Sequence, residues 1–294
     1  MINRIKSLLL LITLLKIDSI KAQTSENALL WEITGNNLQE PSYIFGILKF
    51  IPEKDYYFPP YVEEKFKSSK ILATETQLDH HARHELNKAA HLEHHESLSD
   101  YLSEEEMERL KRIFHDELNV SELKFNLVYK KFKPIMLSTT MTRLAIAEHI
   151  KYYELELIRM ANEQDKAIVA LESVESEVDA LEKIKLKDQL SALKETIDNF
   201  EKQLDDYKKL VSVYKQGDLH ETLEYSMHPA EIHDDYEKYF VFARNYNWIP
   251  RMENYMKEGS TFFAVGASHL SEEEGLLNLL QNKGFTIKPV EAIH

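Results

Sequence analysis

The sequence predicts a mixed α/β fold: a central, mostly parallel sheet flanked by helices, with a helical insertion in the middle of the chain. Three observations predict it. Six apolar runs of strand length stand at residues 29–33, 43–48, 71–73, 168–171, 262–265 and 285–290. The stretches between them repeat apolar residues at threes and fours, the period of an amphipathic helix. The runs gather towards the two ends of the chain and leave a helix-only middle over residues 80–165.

In chain order, Arg4 and Lys6 precede a short leucine-rich run that Lys16 and Asp18 interrupt, and Ala22 stands before Gln23. A basic start, a short apolar core and a small residue read as a signal peptide over residues 1–22, cleaved after Ala22. The run is too short to span a bilayer comfortably, so no stable membrane span is expected after cleavage, and the mature protein is expected to be periplasmic or secreted, with an uncleaved membrane anchor as the alternative reading. Pro59-Pro60 opens a helix carrying Val62 and Phe66. Residues 98–116 hold apolar positions at 98, 102, 107, 110, 113 and 114, with Ser103-x-x-Glu106 as a capping box. Residues 136–147 and 154–163 read as further helices. Residues 174–215 are long, charged and amphipathic, and a helical hairpin is one arrangement for them. No linker rich in Pro, Gly or Ser divides residues 23–294, so a single domain is expected.

Composition narrows the function. The 294 residues carry 36 Lys and Arg against 50 Asp and Glu, a net charge of −14. The leader holds four basic residues and one acidic, +3, so cleavage takes the charge from −14 to −17. A nucleic-acid partner is not expected of a chain without a dense basic face. Zero cysteines exclude disulfides, thiolate metal sites and a cysteine nucleophile. Neither glycine-rich phosphate-loop pattern occurs.

The chemistry gathers where four apolar runs end. The run through Gly46 ends at Lys49, the run through Thr74 at Glu75, the run through Leu171 at Glu172, and the run through Gly266 at His269. In α/β sheets ligands bind beyond the carboxyl ends of the strands. Glu and His are ligands for a divalent metal, and a carboxylate can serve as general base. Each polar residue could equally mark the point where its strand meets water, and both readings stay open at this level. Elsewhere, His80, His81, His84, His91, His94 and His95 crowd one segment. His80 with His84, and His91 with His95, have a chelating i,i+4 spacing. The lack of an apolar stripe predicts a solvated loop or frayed helix there. Ser268 precedes His269, and neighbours on one strand face opposite ways, so the two are not expected to act as a nucleophile and base.

Leu30-Trp31-Glu32-Ile33, Pro41-Ser42-Tyr43-Ile44-Phe45-Gly46, Arg244-Asn245-Tyr246-Asn247-Trp248 and Val265-Gly266-Ala267-Ser268-His269-Leu270 together resemble the TraB/GumN family, whose relatives include the Tiki metalloproteases. The central Ala167-Ile168-Val169-Ala170-Leu171-Glu172 follows the same pattern, and the likeness runs over nearly the whole mature chain. It implies divalent-metal-dependent hydrolysis of a peptide, or of another small-molecule substrate, with Mn, Co or Zn as the ion. It also implies His269 and Glu75 as metal ligands, Glu172 as ligand or base, and Arg244 steadying an oxyanion, with Gly46, Lys49, Glu154, Gly266 and Asn245 around the pocket. Of the family's two G-x-x-H motifs, Gly266-Ala267-Ser268-His269 is complete. The other reads Gly46-Ile47-Leu48-Lys49, and an ammonium has no lone pair to give a metal. Lys49 is therefore expected to pair with Glu75 and Glu172 in the ion's place. Two functions stay open: a weakened metallohydrolase, or a non-enzymatic binding protein whose Lys49 and Arg244 hold a peptide or small anion. A scaffold acting through residues 174–215 ranks behind both. A salt bridge to a core carboxylate such as Glu154 is the structural alternative for Arg244, and packing is the expected role of Trp248.

Overall fold

The computed structural model describes residues 28–77, 79–146, 149–226 and 236–290. The expected signal peptide lies outside the described residues. The strands are β1 (Leu30–Gly35), β2 (Ser42–Ile47), β3 (Ile51–Pro52), β4 (Ile71–Thr74), β5 (Ile150–Lys151), β6 (Ala167–Ala170), β7 (Thr261–Gly266) and β8 (Phe285–Pro289). Six of them form one sheet in the order β6-β4-β7-β2-β1-β8. The first four run parallel, and β1 is antiparallel to both of its neighbours. All six apolar runs seen in the sequence are strands of this sheet. The two central parallel strands, β2 and β7, are buried almost throughout, which is why they read as unbroken apolar runs and not as alternation.

Among the described residues twelve α-helices accompany the sheet: α1 (Pro60–Ser68), α2 (His80–Ala89), α3 (Glu104–Arg112), α4 (Glu122–Leu127), α5 (Pro134–Ile146), α6 (Tyr153–Glu163), α7 (Val174–Glu182), α8 (Leu186–Asp198), α9 (Phe200–Gln216), α10 (Leu219–Ser226), α11 (Ala243–Glu258) and α12 (Leu276–Asn282). Pro60 opens α1, whose Val62 and Phe66 are buried. Ser103 and Glu106 cap α3 reciprocally, the hydroxyl accepting from Glu106 N at 3.2 Å and the carboxylate from Ser103 N at 2.7 Å.

Three expectations need correction. The middle is not helix-only, because β5 pairs with β3 as a two-residue ribbon, too short to show a period in sequence. Residues 174–215 form α7, α8 and α9 instead of a hairpin, broken at 183–185 and at Asn199. Leu193, Ile197 and Phe200 of the last two pack on Leu110, Phe114, Leu137 and Met141, so these helices complete the core of the insertion. Residues 80–89 are a regular helix. Asp79 caps it by accepting from Ala82 N at 2.8 Å, and Ala82 and Ala89 are buried beneath it. No helix of the described residues is long and apolar enough to cross a membrane.

Tyr153 is fully buried, donates to Tyr57 O at 2.9 Å and packs against Phe45, Tyr56 and Tyr214, which makes it a core residue. Gly46 lies in β2 where the turn after β7 crosses it. A Cβ there would meet Leu270 Cδ1 at 2.8 Å and Ala267 at 3.3 Å. Gly46→Ala should therefore cost about 1–3 kcal/mol through overpacking and push the 267–270 turn outward. Urea unfolding of the variant checks the cost, and an unchanged midpoint would mean the turn yields freely.

Candidate active site

The four parallel strands end on one side of the sheet. Past β4 and β6 the ladder continues, with Leu171 N donating to Thr74 O and Glu172 N to Glu75 O, both at 2.9 Å. This register sets Glu75 and Glu172 side by side. Past β7 the chain turns into a 3₁₀ turn, Ala267–His269, that buries His269 at 3% exposure. The sequence expectation of a strand through Ser268 fails there: β7 ends at Gly266, so alternation does not decide where Ser268 and His269 face. Opposite the strand ends, a π-helical segment, Glu237–Phe242, runs into α11 and delivers Arg244, Asn245 and Trp248, all buried.

Arg244 occupies the centre. Its Nε donates to Glu172 Oε1 at 2.7 Å and an Nη2 proton to Glu75 Oε2 at 2.8 Å. Nη1 donates to Phe240 O at 3.1 Å, one turn earlier, and lies 3.4 Å from His269 Nε2. The Phe240 and Trp248 rings flank the guanidinium at 4.5 and 4.8 Å. Burial works against the cation, yet the charges of Glu75, Glu172 and Glu177 outweigh it and push the guanidinium further towards its protonated form. Burial likewise opposes ionisation of Glu75, but Arg244, His269, the Gly266 N–H at 2.7 Å and Lys49 bring it to about 2. The salt bridges of Arg244 therefore go to Glu75 and Glu172, not to Glu154.

His269 has a defined tautomer. Asn245 Nδ2 donates to His269 O at 3.3 Å and to Glu274 O at 2.9 Å, so its Oδ1 is the acceptor that faces His269 Nδ1 at 2.7 Å. Nδ1 carries the proton and Nε2 the lone pair, which is turned towards Arg244 and Glu75 Oε1, the latter 4.0 Å away. Burial, reinforced by Arg244 and Lys49, lowers the imidazole to about 3, so it is neutral at physiological pH. Trp248 packs against its ring with centroids 4.4 Å apart.

Two further carboxyls face this cluster. Burial first, then the charges of Glu75 and Glu177, raise Glu154 to about 8. Burial also raises Glu177, whose Oε2 accepts from Thr76 Oγ1 at 3.1 Å. Glu154 Oε1 and Glu172 Oε2 are buried and without a hydrogen-bond partner among the described residues. Lys49 is exposed, with its ammonium 5.3 Å from the centre of the Phe240 ring. Among the described residues it forms no ion pair with Glu75 or Glu172; Arg244 holds the place between them that the sequence suggested for Lys49.

The sequence did not flag Glu177, Thr76 or Phe240. Phe240 was within reach, since Phe240, Arg244 and Trp248 recur every fourth residue and so share a helical face. Glu177 carries no local mark, because its burial comes from packing against residues far away in sequence.

Replacing Arg244 by Met leaves two neighbouring buried carboxylates without a cation. The expected cost is about 3–5 kcal/mol by chemical unfolding at pH 7, and less near pH 2, where Glu75 takes up its proton. A loss equal at both pH values would refute the pairing. Glu154 titrates in the opposite sense. The folded state holds its proton up to about pH 8 whereas the unfolded chain releases it near the ordinary 4.5, so this group lowers stability as pH rises between the two. Glu154→Gln should consequently gain stability relative to the parent at pH 9 over pH 5; parallel pH–stability curves would contradict it.

No curated protein and no solved structure matches this chain. A family model does, over residues 29–289, a span that takes in every strand and every residue of the cluster. The strand ends, the Arg244-Asn245-x-x-Trp248 helix and the Gly266-x-x-His269 turn all lie inside it: the chain belongs to the TraB/PrgY/gumN family.

Proposed function

We propose that this protein is an exported, divalent-metal-dependent hydrolase of peptide-like bonds whose catalysis is weakened by Lys49. The observation that carries the reading is the convergence of four strand ends on a buried cluster with donor atoms to spare. Glu172 Oε2 has no hydrogen-bond partner among the described residues, and the neutral imidazole of His269 turns its lone pair inward. Carboxylate and imidazole are donor types that Zn, Mn and Co accept. His269, Glu75 and Glu172 are the residues that would hold the ion, and when bound it would supply an activated water. Asn245 fixes the tautomer that presents Nε2. Arg244 aligns the two carboxylates, and Glu154 keeps a proton available beside them.

Weakening follows from the same geometry. Among the described residues no three His, Asp or Glu side chains are gathered tightly enough to grip an ion. Arg244 already neutralises two of the carboxylates, and Lys49 adds a charge where the family motif has an imidazole. Export is proposed from residues 1–22, with periplasmic or secreted as the location that follows.

One observation favours a second reading, a binding protein that uses the crevice without hydrolysis: the Glu75–Arg244–Glu172 bridge leaves the cluster with a resident cation. Metal content separates the two, measured by elemental mass spectrometry in a background with His80, His81, His84, His91, His94 and His95 changed to Gln. The hydrolase reading expects partial occupancy in the parent. In Lys49→His it expects about one ion per chain and about 10-fold faster cleavage of a fluorogenic peptide library, with both lost in His269→Ala. Absence of both ion and cleavage in Lys49→His, at millimolar Mn, Co or Zn, would favour the binding protein.

A further inference from the structure

Beside the cluster, α10, the π-helical segment and the loop after His269 enclose a cavity of about 380 Å³. That volume lies in the range of small-ligand sites, about 300–1,000 Å³. One wall is apolar, built from Leu223, Val241 and Phe242. Glu224 and Glu272, both exposed, stand at its rim, Glu237, half-buried, and His220 also line it, and no Lys or Arg does so among the described residues.

Ser268 joins this cavity to the candidate active site. It lines the cavity, and its Oγ also lies close to Gly266, where β7 ends against Glu75 and His269. From the point where a Cβ of residue 266 would sit, Glu75 Oε1 is 3.3 Å away, His269 Cδ2 3.5 Å and Ser268 Oγ 3.7 Å. A peptide lying over Gly266 runs beside Glu75 and can drop one side chain past Ser268.

We infer that this cavity is a subsite for a lysine or arginine side chain of the bound peptide, an inference that rests on the crevice taking a peptide ligand. The methylenes of such a side chain cover the Leu223–Val241–Phe242 wall, and its cationic head meets the rim carboxylates. Norleucine has the same stem and no charge, so it would satisfy the wall alone. A glutamate would face three carboxylates with no Lys or Arg among the described lining residues, and is disfavoured.

Fluorescein-labelled hexapeptides test this, identical except for one position scanned along the peptide and filled by Lys, norleucine or Glu. Binding is read by anisotropy on the full chain and on the Glu224→Gln, Glu272→Gln double variant, and cleavage of the same peptides is followed separately. At the best position Lys should bind about 10-fold more tightly than norleucine, with Glu weakest. The gap should shrink with added salt and largely vanish in the double variant at unchanged Tm. Equal binding of the three, no binding of any, or a Lys preference that survives in the double variant would overturn the subsite. Turnover without Lys preference would remove the subsite and leave the hydrolase reading standing. Lys preference without turnover would do the reverse.

Discussion

One guanidinium between two carboxylates fixes the geometry of this site. Glu75 and Glu172 arrive on adjacent parallel strands, and the continuing ladder forces them together, so without a cation their repulsion would open the sheet at its functional edge. Arg244 supplies that cation from α11 and in doing so seats the helix. Once the helix is seated, Asn245 meets His269, and Trp248 packs on the imidazole. Taking such ions out of water costs several kcal/mol each, which only short, well-aligned contacts offset. The contacts of 2.7 and 2.8 Å, with Nη1 satisfied by Phe240 O, meet that condition.

The surrounding charge is not balanced. Four carboxyls, those of Glu75, Glu154, Glu172 and Glu177, face two cations, Arg244 and Lys49. The cluster relieves the excess by keeping a proton on Glu154 and raising Glu177. A site in this condition favours an incoming positive charge, because binding one replaces protons held at a cost. The divalent ion and the basic side chain proposed above are two forms of the same preference, whereas a small anion finds only Lys49 on offer among the described residues. The acidic surroundings thus favour the cation-binding reading over the anion-binding one.

Much of this was legible in the sequence, and the parts that were not have a common reason. Strand ends were readable because apolar run and polar terminus are local features, and the parallel order of β6, β4, β7 and β2 then brings Lys49, Glu75, Glu172 and His269 to one edge. The partners of Arg244 were not readable: Glu75 and Glu172 stand 169 and 72 positions away, and nothing local distinguishes them from Glu154. Lys49 was expected between the carboxylates because it follows β2, but the arginine, delivered by a helix with a planar donor array, fits two carboxylates better than a single ammonium can. The turn at 267–269 reads as strand because Ala267 continues the apolar run; its conformation follows from closing over Gly46, a contact across the sheet.

The π-helical segment ties charge and shape together. A regular helix would carry Phe240, Val241 and Phe242 around its axis at 100° intervals; the wider π turn alters that spacing and is a feature found often beside functional sites. Here Phe240 turns its carbonyl and ring to Arg244 while Val241 and Phe242 wall the cavity. The element that positions the central cation therefore also shapes the neighbouring cavity. Stability alone does not call for this arrangement, since apolar side chains of similar volume commonly replace a buried ion pair at no loss. Glu154 Oε1, in the first turn of α6, and Glu172 Oε2, past β6, are buried without partners among the described residues and add cost that packing does not return. Local rules broken together at one edge of an otherwise consistent fold are the physical mark of a site built to bind.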